Sequence, residues 1–172
     1  MPIAEIISKR RSVRNYKEGA IVTDEQVRSL LEAAMLAPSA CNQRPWEFLV
    51  VRDPENLSAI CEFHPYTSML KTASLAIIVL IDTNAHNAIS EPFNPQDAGA
   101  ATQNILLQAV HEGLGTCWCG IYPEGNLMNY VRELFGLPEN LAPFNVIAVG
   151  VANEDGGSRG FYEEEKVHWD KL

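Results

Sequence analysis

The fold of this chain is decided by one central stretch, which reads Leu75-Ala76-Ile77-Ile78-Val79-Leu80-Ile81. The stretch is apolar throughout, without alternating polar residues, which is typical of a strand covered on both faces. Shorter strand-like runs lie on either side of it, at residues 46–51, 116–122 and 145–151. Helical patterns separate these runs, but there is no strict strand–helix alternation, no GxGxxG motif and no P-loop. The sequence therefore predicts an α+β fold, a central sheet with helices on its faces, formed by residues 1–172 as a single domain.

Capping signals and apolar spacing locate the helices around this sheet. Thr23 and Gln26 form a capping box at the start of one helix, and Asn94-Pro95 begin the longest one. Small residues at 98–101 in that longest helix would let another backbone approach closely, either in the core of the chain or in a second subunit. We interpret the polar residues 83–94 as a candidate lid loop. The predicted helices are residues 2–9, 23–37, 53–61 and 94–113, a short one near 66–72, and one that ends at 136–138.

Composition narrows the class of protein. The chain has 172 residues, of which 47% are hydrophobic, so it is long enough and apolar enough for one sizeable core. Its net charge of −9 argues against nucleic acid as a partner. No signal peptide pattern precedes the first helix, and no apolar run is long enough to span a bilayer. We therefore expect a cytoplasmic protein without a membrane partner.

The cysteines and histidines do not form a metal-binding pattern. Cys117 and Cys119 would lie on the same side of a strand, and no second paired motif completes a zinc site. Cys41 and Cys61 stand apart, and the histidines lack ligand spacing. We expect reduced thiols and no metal, with a redox-active cysteine as the alternative.

A basic cluster stands out in this acidic chain, at residues 9–16, which read KRRSVRNY. If the segment is extended, side chains two residues apart share a face, so Arg10, Ser12 and Arg14 would converge. Guanidinium groups offer planar pairs of donors that suit a phosphate or another delocalised anion. The cluster therefore predicts an anion site, and the alternative is a solvated basic turn.

Two further segments carry candidate binding groups. In residues 37–46, two prolines bracket short polar residues between a helix and a strand, and Asn42 and Gln43 offer amides that could read a heterocycle. In residues 113–122, the glycines suggest a backbone close to something flat, with the N–H of Gly120 accessible. The alternatives are an ordinary helix-to-strand turn for the first segment, and a C-cap followed by a buried strand for the second.

Taken in order, these segments resemble the FMN-dependent nitroreductase family. The resemblance rests on the arginine–serine segment, P-S-A-x-N followed by P-W, G-L-G-T-x-W-x-G, a late arginine and a closing V-H-W. It covers nearly the whole chain. The resemblance implies a mostly antiparallel sheet flanked by helices and an interdigitated homodimer with FMN at each subunit interface.

The resemblance also implies roles for individual positions. The first motif would hold the phosphate and ribityl chain, with Arg14 near the pyrimidine edge of the ring. The partner subunit would place the Pro38 loop against the flavin, and the Gly120 N–H would point towards flavin N5. The chemistry would take place at N5, so no catalytic side chain is implied. The implied cofactor-binding residues are Arg10, Arg11, Ser12, Arg14, Pro38, Ser39, Ala40, Asn42, Trp118, Cys119, Gly120 and Arg159.

One position departs from the family pattern. The family usually reads N-x-Q-P-W, whereas here Asn42 is followed by Gln43 and Arg44 before the proline. The amide contact would either move to Gln43 or be lost. Arg44 would either add positive charge near the substrate or face outward at the rim.

The resemblance implies an oxidoreductase that takes hydride from NADH or NADPH and passes it, in a ping-pong cycle, to small electron-poor acceptors such as nitroaromatics and quinones. One alternative keeps the flavin for reductive dehalogenation or another specialised reaction, with substrate gripped by the lid loop, where His86 and Glu91 are the ionisable groups. The other alternative is a flavin-binding protein without turnover.

Overall fold

A four-stranded sheet forms the centre of the chain. The computed structural model describes residues 3–85, 87, 89–154, 160 and 162–171. The strands are β1 (Trp46–Val51), β2 (Leu75–Asp82), β3 (Gly115–Gly120) and β4 (Leu141–Gly150). Their order in the sheet is β1-β2-β4-β3, and each neighbouring pair is antiparallel. The α+β class and the antiparallel sheet expected from the sequence are confirmed.

The described part of the chain has five helices, and all but the first cover the faces of the sheet. They are α1 (Glu5–Lys9), α2 (Asp24–Met35), α3 (Pro54–Phe63), α4 (Asn94–His111) and α5 (Gly125–Phe135), with short 3₁₀ turns at Ala40–Asn42, Ser68–Lys71, Glu91–Phe93 and Glu164–Lys166. The predicted capping box of α2 is present, with Thr23 and Gln26 bonded to each other's backbone N–H groups. No helix among the described residues is both long enough and apolar enough to cross a membrane.

The stretch that predicted the fold is central strand β2. Its residues from Leu75 to Val79 have no exposed surface, because alternate side chains enter two different cores. Leu75, Ile77 and Val79 pack with α2 and α4 on one face. Ala76 and Ile78 pack on the other face, together with residues of α3 and α5. Coverage on both faces is therefore why the run shows no polar alternation.

The start of β4 and the first helix differ from the prediction. Strand β4 begins at Leu141 and not at residue 145, because Pro143 falls where the β2–β4 register shifts between Val79 and Leu80. A proline has no N–H for the ladder, so such an irregularity is where a strand tolerates it. In addition, the helix predicted over residues 2–9 begins at Glu5, and it has no buried residue: the exposed fractions of Ile6 and Ile7 are 39% and 53%, and that of Ile3 before it is 71%.

Candidate functional site

The basic segment lies extended along the outer edge of β3. Ser12 forms a parallel bridge with Thr116, and the Val13 N–H donates to the Thr116 carbonyl at 2.8 Å. The side chain of Val13 is buried, whereas Arg14 is exposed and Ser12 is partly exposed. This alternation is the strand-like geometry that the sequence predicted for the cluster.

A buried tyrosine holds this segment to the sheet. The Tyr16 hydroxyl donates to the Val13 carbonyl at 2.8 Å, and the Ala148 carbonyl of β4 lies 3.3 Å away. Burial raises the pKa of the Tyr16 hydroxyl above its ordinary value of 10.0, so the group stays protonated as a donor. Tyr16 also forms an antiparallel bridge with Ala152, beyond the end of β4. Tyr16 therefore anchors the end of the basic cluster twice, through its hydroxyl to β4 and through its backbone to Ala152.

Two strand glycines make room for the segment. A Cβ atom on Gly115 would lie 2.8–3.0 Å from three side-chain atoms of Val13, and one on Gly150 would lie 2.8 Å from the ring of Tyr16. Contacts this short are not tolerated by real Cβ atoms, so any larger residue would push the segment away from the sheet. These glycines permit a close approach of backbone and side chain, which is a recognised use of glycine within strands.

The four residues of the first predicted motif share one pocket. Arg10, Arg11, Ser12 and Arg14 line a cavity of about 240 Å³. Glu154 lies beside it: this carboxylate accepts the backbone N–H of Arg14 at 2.9 Å and approaches the Arg11 guanidinium at 3.9 Å. Within the described residues, no carboxylate forms an ion pair with the side chains of Arg10 or Arg14. The pocket therefore presents guanidinium groups that are available to an anion.

The second predicted segment lies at a different pocket. Pro38, Ser39 and Ala40 line a cavity of about 390 Å³ together with Phe93 and with residues of α4. The carboxylate of Asp97 accepts the Ala40 N–H, with both oxygens 3.1 Å from the nitrogen. Asp97 itself is buried, and this burial raises the pKa of its carboxyl above the ordinary value of 3.8. The first turn of α4 thus holds the loop by its backbone.

The rest of this loop has an unusual backbone. Cys41, Asn42 and Arg44 have φ angles of 51°, 54° and 49°, in the left-handed region that non-glycine residues seldom adopt. The Ser39 hydroxyl accepts the Arg44 N–H at 2.9 Å, and the Gln43 amide donates to the Cys41 carbonyl at 3.3 Å. Strain of this kind concentrates at functional sites. The Asn42 and Arg44 side chains are both exposed, and the Gln43 amide makes a contact within the loop.

Strand β3 presents the third predicted segment at an open edge. Because the Thr116 carbonyl bonds outward to Val13, the alternation of an antiparallel ladder also turns the backbone polar groups of Trp118 and Gly120 away from β4. A Cβ atom on Gly120 would have nothing within 4 Å. Trp118 is 36% exposed, and its ring makes an edge contact with Phe144 at a centroid distance of 5.9 Å. The N–H of Gly120 is therefore accessible, as the sequence predicted.

The small residues of α4 are used within the chain. Ala98 and Ala101 have no exposed surface and belong to the core between α4 and the sheet. A Cβ atom on Gly99 would lie 3.8 Å from the Trp118 ring. Close packing of α4 against its own sheet accounts for these positions.

The two cysteines of β3 lie on the opposite side from Trp118. Both are buried, and the Cys119 thiol donates to the Tyr66 carbonyl at 3.2 Å. The neighbouring Cys119, followed by the charge of Arg14 and a contact with Ser12, lowers the pKa of Cys117 below its ordinary value against the effect of burial. The neighbouring Cys117 and burial raise the pKa of Cys119. The thiol of Cys119 faces the core and its backbone polar groups face β4, so Cys119 borders the open edge only by its position between Trp118 and Gly120.

Several groups that shape the site gave no signal in the sequence. Asp97 and Glu154 act on backbone N–H groups that are 57 and 140 positions away in the chain. Their contacts depend on tertiary structure alone. Arg159, which the resemblance assigned to the site, lies outside the described residues.

We predict that the pH dependence of stability will reveal the burial of Asp97. Its native pKa is raised, so between 3.8 and the native value the folded protein binds more protons than the unfolded chain. The contribution of Asp97 to the free energy of unfolding therefore falls as pH rises through that window. Asp97→Asn keeps an oxygen acceptor for Ala40 but cannot ionise, and should not show this decline.

Urea unfolding of both proteins across the pH range measures the difference. Asp97→Ala, which leaves the Ala40 N–H without an acceptor, should lose about 1–3 kcal/mol at every pH. Parallel curves for the wild type and Asp97→Asn would show that the carboxyl is not buried in solution.

Known proteins place this architecture in one family. The model of the nitroreductase family matches residues 7–66 and 61–151. A protein of Methanothermobacter thermautotrophicus, provisionally named NADH dehydrogenase/NAD(P)H nitroreductase, is 42% identical over 99% of this chain and 88% of its own length.

Solved structures agree with this match. An FMN-dependent nitroreductase from Clostridium difficile R20291 is 32% identical, with a TM-score of 0.84 over 97% of this chain and 98% of its own. A Desulfovibrio desulfuricans protein, provisionally classed as a nitroreductase and solved in complex with FMN, is 31% identical, with a TM-score of 0.82 over 100% of this chain and 98% of its own. The chain belongs to the nitroreductase family of oxidoreductases.

Proposed function

We propose that this protein is an FMN-dependent NAD(P)H oxidoreductase that reduces small electron-poor acceptors. The observation that carries the proposal is the pocket of about 240 Å³ lined by Arg10, Arg11, Ser12 and Arg14. Relatives of similar length are an FMN-dependent nitroreductase and a protein solved with FMN.

The residues present fit this cofactor. Guanidinium groups and a hydroxyl suit a phosphate and a ribityl chain, which we assign to Arg10, Arg11 and Ser12. We place Arg14 at the pyrimidine edge of the ring, where its positive charge would stabilise the negative charge of the reduced flavin. The open β3 edge at Trp118 and Gly120 has no side chain in front of Gly120, which suits a flat ring. The proposed contacts of Asn42, Cys119 and Arg159 complete the set.

FMN would supply hydride-transfer chemistry when bound. Hydride would leave NAD(P)H in one half-reaction and would reach a nitroaromatic, a quinone or a similar acceptor in the other. The task of the chain is to bind and orient the ring and to set its electrostatic environment. The Gly120 N–H is available as a hydrogen-bond donor towards N5. Arg14 is the candidate for electrostatic stabilisation, and no acid–base pair is required of the protein.

The first experiment is a visible absorption spectrum of purified protein, recorded without oxygen before and after NADH or NADPH is added. The proposal expects flavin bands that bleach with one or both donors. Parallel lines in double-reciprocal plots with a quinone or nitroaromatic acceptor would support the ping-pong cycle. A protein that stays colourless after incubation with FMN would contradict the proposal, and bound flavin that neither donor bleaches would indicate a binding protein without turnover.

We further propose a homodimer in which the loop of one subunit completes the site of the other. The Pro38 loop and the arginine cluster line two different pockets of the chain. Apolar side chains also remain exposed on the described chain, including Ile3 (71%), Leu36 (83%) and Trp169 (82%). Burial of such residues is a usual source of subunit association.

Shared sites predict complementation between two impaired variants, assayed at an FMN concentration that saturates the wild-type site but not the weakened site of Arg14→Ala. Arg14→Ala removes the arginine half of a site, and Ala40→Trp blocks the loop half. In a mixed dimer, one site would carry both lesions and the other neither, so about half of the active sites in each mixed dimer should function. Mixing the variants through reversible unfolding and measuring NAD(P)H oxidation tests this. The shared site would be contradicted if both variants were monomers in solution. It would also be contradicted if the mixture were no more active than the separate variants.

A further inference from the structure

A buried histidine connects the loop after α3 to the last residue of β3. His64 is 4% exposed and follows the last residue of α3. Its Nε2 lies 2.8 Å from the Gly120 carbonyl, and its Nδ1 lies 3.2 Å from the backbone nitrogen of Tyr66. Both nitrogens of the ring are thus engaged with backbone groups whose own roles are fixed.

These two contacts define the protonation of the ring. The Tyr66 N–H can only donate, so Nδ1 accepts and carries no proton. The Gly120 carbonyl can only accept, so Nε2 carries the proton and donates. The neutral Nε2–H tautomer is the form that satisfies both partners.

The contact with His64 holds the peptide unit that follows Gly120. The Gly120 carbonyl and the Ile121 N–H belong to one peptide unit, and the Ile121 N–H donates to the Phe144 carbonyl at 3.1 Å. His64 and Phe144 therefore hold the two ends of the same peptide plane. Cys119 is held as well, through its thiol contact with the Tyr66 carbonyl at 3.2 Å. The preceding peptide unit, which carries the Gly120 N–H, is held to β4 through Cys119. The contact with His64 restrains the rotation that links the two units at Gly120, the residue type with the freest backbone.

We propose that His64 is a positioning residue that fixes the orientation of Gly120 at the cofactor edge. This role rests on the proposed function, in which the Gly120 N–H donates to the ring of FMN. His64 does not touch the ligand; it acts through the backbone of Gly120. The hydrogen bond takes the place of the neighbouring strand that β3 lacks at this point among the described residues.

The test compares three variants of the full chain. His64→Leu removes both contacts, whereas His64→Gln keeps a side-chain N–H that can reach the same carbonyl. The matched control is Thr67→Val: the Thr67 hydroxyl donates to the His64 carbonyl at 2.9 Å, so this change weakens the same loop and leaves the imidazole in place. Melting curves and circular dichroism establish that each variant folds.

Two measurements report on Gly120. In His64→Leu, amide hydrogen exchange at Ile121 should become about tenfold faster, since one hydrogen bond of its peptide unit is lost. The ratio of affinities for oxidised and reduced FMN should change by about tenfold, which corresponds to about 30 mV in the two-electron potential. Thr67→Val should show neither change, and His64→Gln should restore part of each. Nitrogen NMR of the wild type should show the Nε2–H tautomer.

Each contrary result has a distinct meaning. If His64→Leu matches Thr67→Val in both measurements, or if the wild type shows the Nδ1–H tautomer, the positioning role is overturned while the proposed function stands. A wild type that takes up no FMN overturns the proposed function and, with it, the role of His64 towards the cofactor. If His64→Leu does not fold, the positioning role is decided by the same two measurements on His64→Gln and by the tautomer of the wild type.

Discussion

Replacing Arg14 with alanine is expected to weaken FMN binding by about ten- to a hundredfold. A hydrogen bond to a charged group contributes about 1.5–3 kcal/mol, and each 1.4 kcal/mol is a tenfold change in the dissociation constant. The guanidinium of Arg14 lines the basic pocket and forms no ion pair within the described chain. Its loss therefore falls on the ligand and not on another part of the protein.

The fold should tolerate this substitution. The contact of Arg14 with Glu154 is made by the backbone N–H, which alanine retains. Exposed substitutions of this kind usually change the free energy of unfolding by about 0.5 kcal/mol or less. Arg14→Lys keeps the charge but loses the planar pair of donors, and should fall between the wild type and alanine.

Fluorescence titration with FMN, together with urea unfolding, measures both effects. The matched control is Arg28→Ala, because the Arg28 guanidinium is exposed on α2 and pairs with Glu32 at 2.8 Å. Arg28→Ala should leave FMN affinity unchanged. If Arg14→Ala binds FMN as tightly as Arg28→Ala does, Arg14 is not part of the binding site.

Replacing Gly115 with alanine is expected to disrupt both the fold and the basic pocket. The new Cβ would lie 2.8–3.0 Å from the Cβ and both Cγ atoms of Val13. A β-branched side chain is stiff and cannot swing aside, so the backbone of residues 12–14 must move. Overpacking of this kind typically costs about 1–3 kcal/mol. Because Ser12 and Arg14 flank Val13, FMN affinity should fall as well.

Two further variants separate steric overlap from the general effect of a glycine substitution. Gly125 begins α5, and a Cβ atom added to it would have nothing within 4 Å, so Gly125→Ala should be neutral or stabilising by about 0.5–1 kcal/mol. In Val13→Ala/Gly115→Ala, two of the three overlapping atoms are gone. The double variant should therefore lose less stability than the sum of the single ones.

Urea unfolding and FMN titration are carried out on five proteins: the wild type, Gly115→Ala, Val13→Ala, their double variant and Gly125→Ala. Additive losses in the double variant would mean that Gly115 and Val13 do not meet as described. A Gly115→Ala protein with the stability of the wild type would contradict the close approach of the basic segment to β3.

Local patterns in the sequence were sufficient for most of the fold. The apolar run at residues 75–81 predicted a doubly covered strand, and Thr23 with Gln26 predicted the start of a helix. Both depend on neighbours in the chain, through strand periodicity and capping, so local reasoning could reach them. The early start of β4 could not be predicted, because Pro143 is acceptable only at the irregularity in its pairing with β2.

In the site, too, local patterns predicted some features, and contacts between distant parts of the chain decided the others. The convergence of Arg10, Ser12 and Arg14 follows from the geometry of an extended segment, and the structure confirms that these residues line one pocket together with Arg11. The accessible N–H of Gly120 was likewise predicted from a glycine within a strand pattern. What the pattern did not reveal is which groups hold these elements in place.

By itself, the sequence determined the sheet, the helices and the chemistry of the basic cluster, because each follows from residues close together in the chain. Only the tertiary structure decided how that cluster is held, through the space at Gly115 and Gly150 and the contact between His64 and Gly120. His64 and Gly120 are 56 positions apart, and no periodicity or motif relates them. Contacts over such separations depend on how the helices pack on the sheet, which only the folded chain establishes.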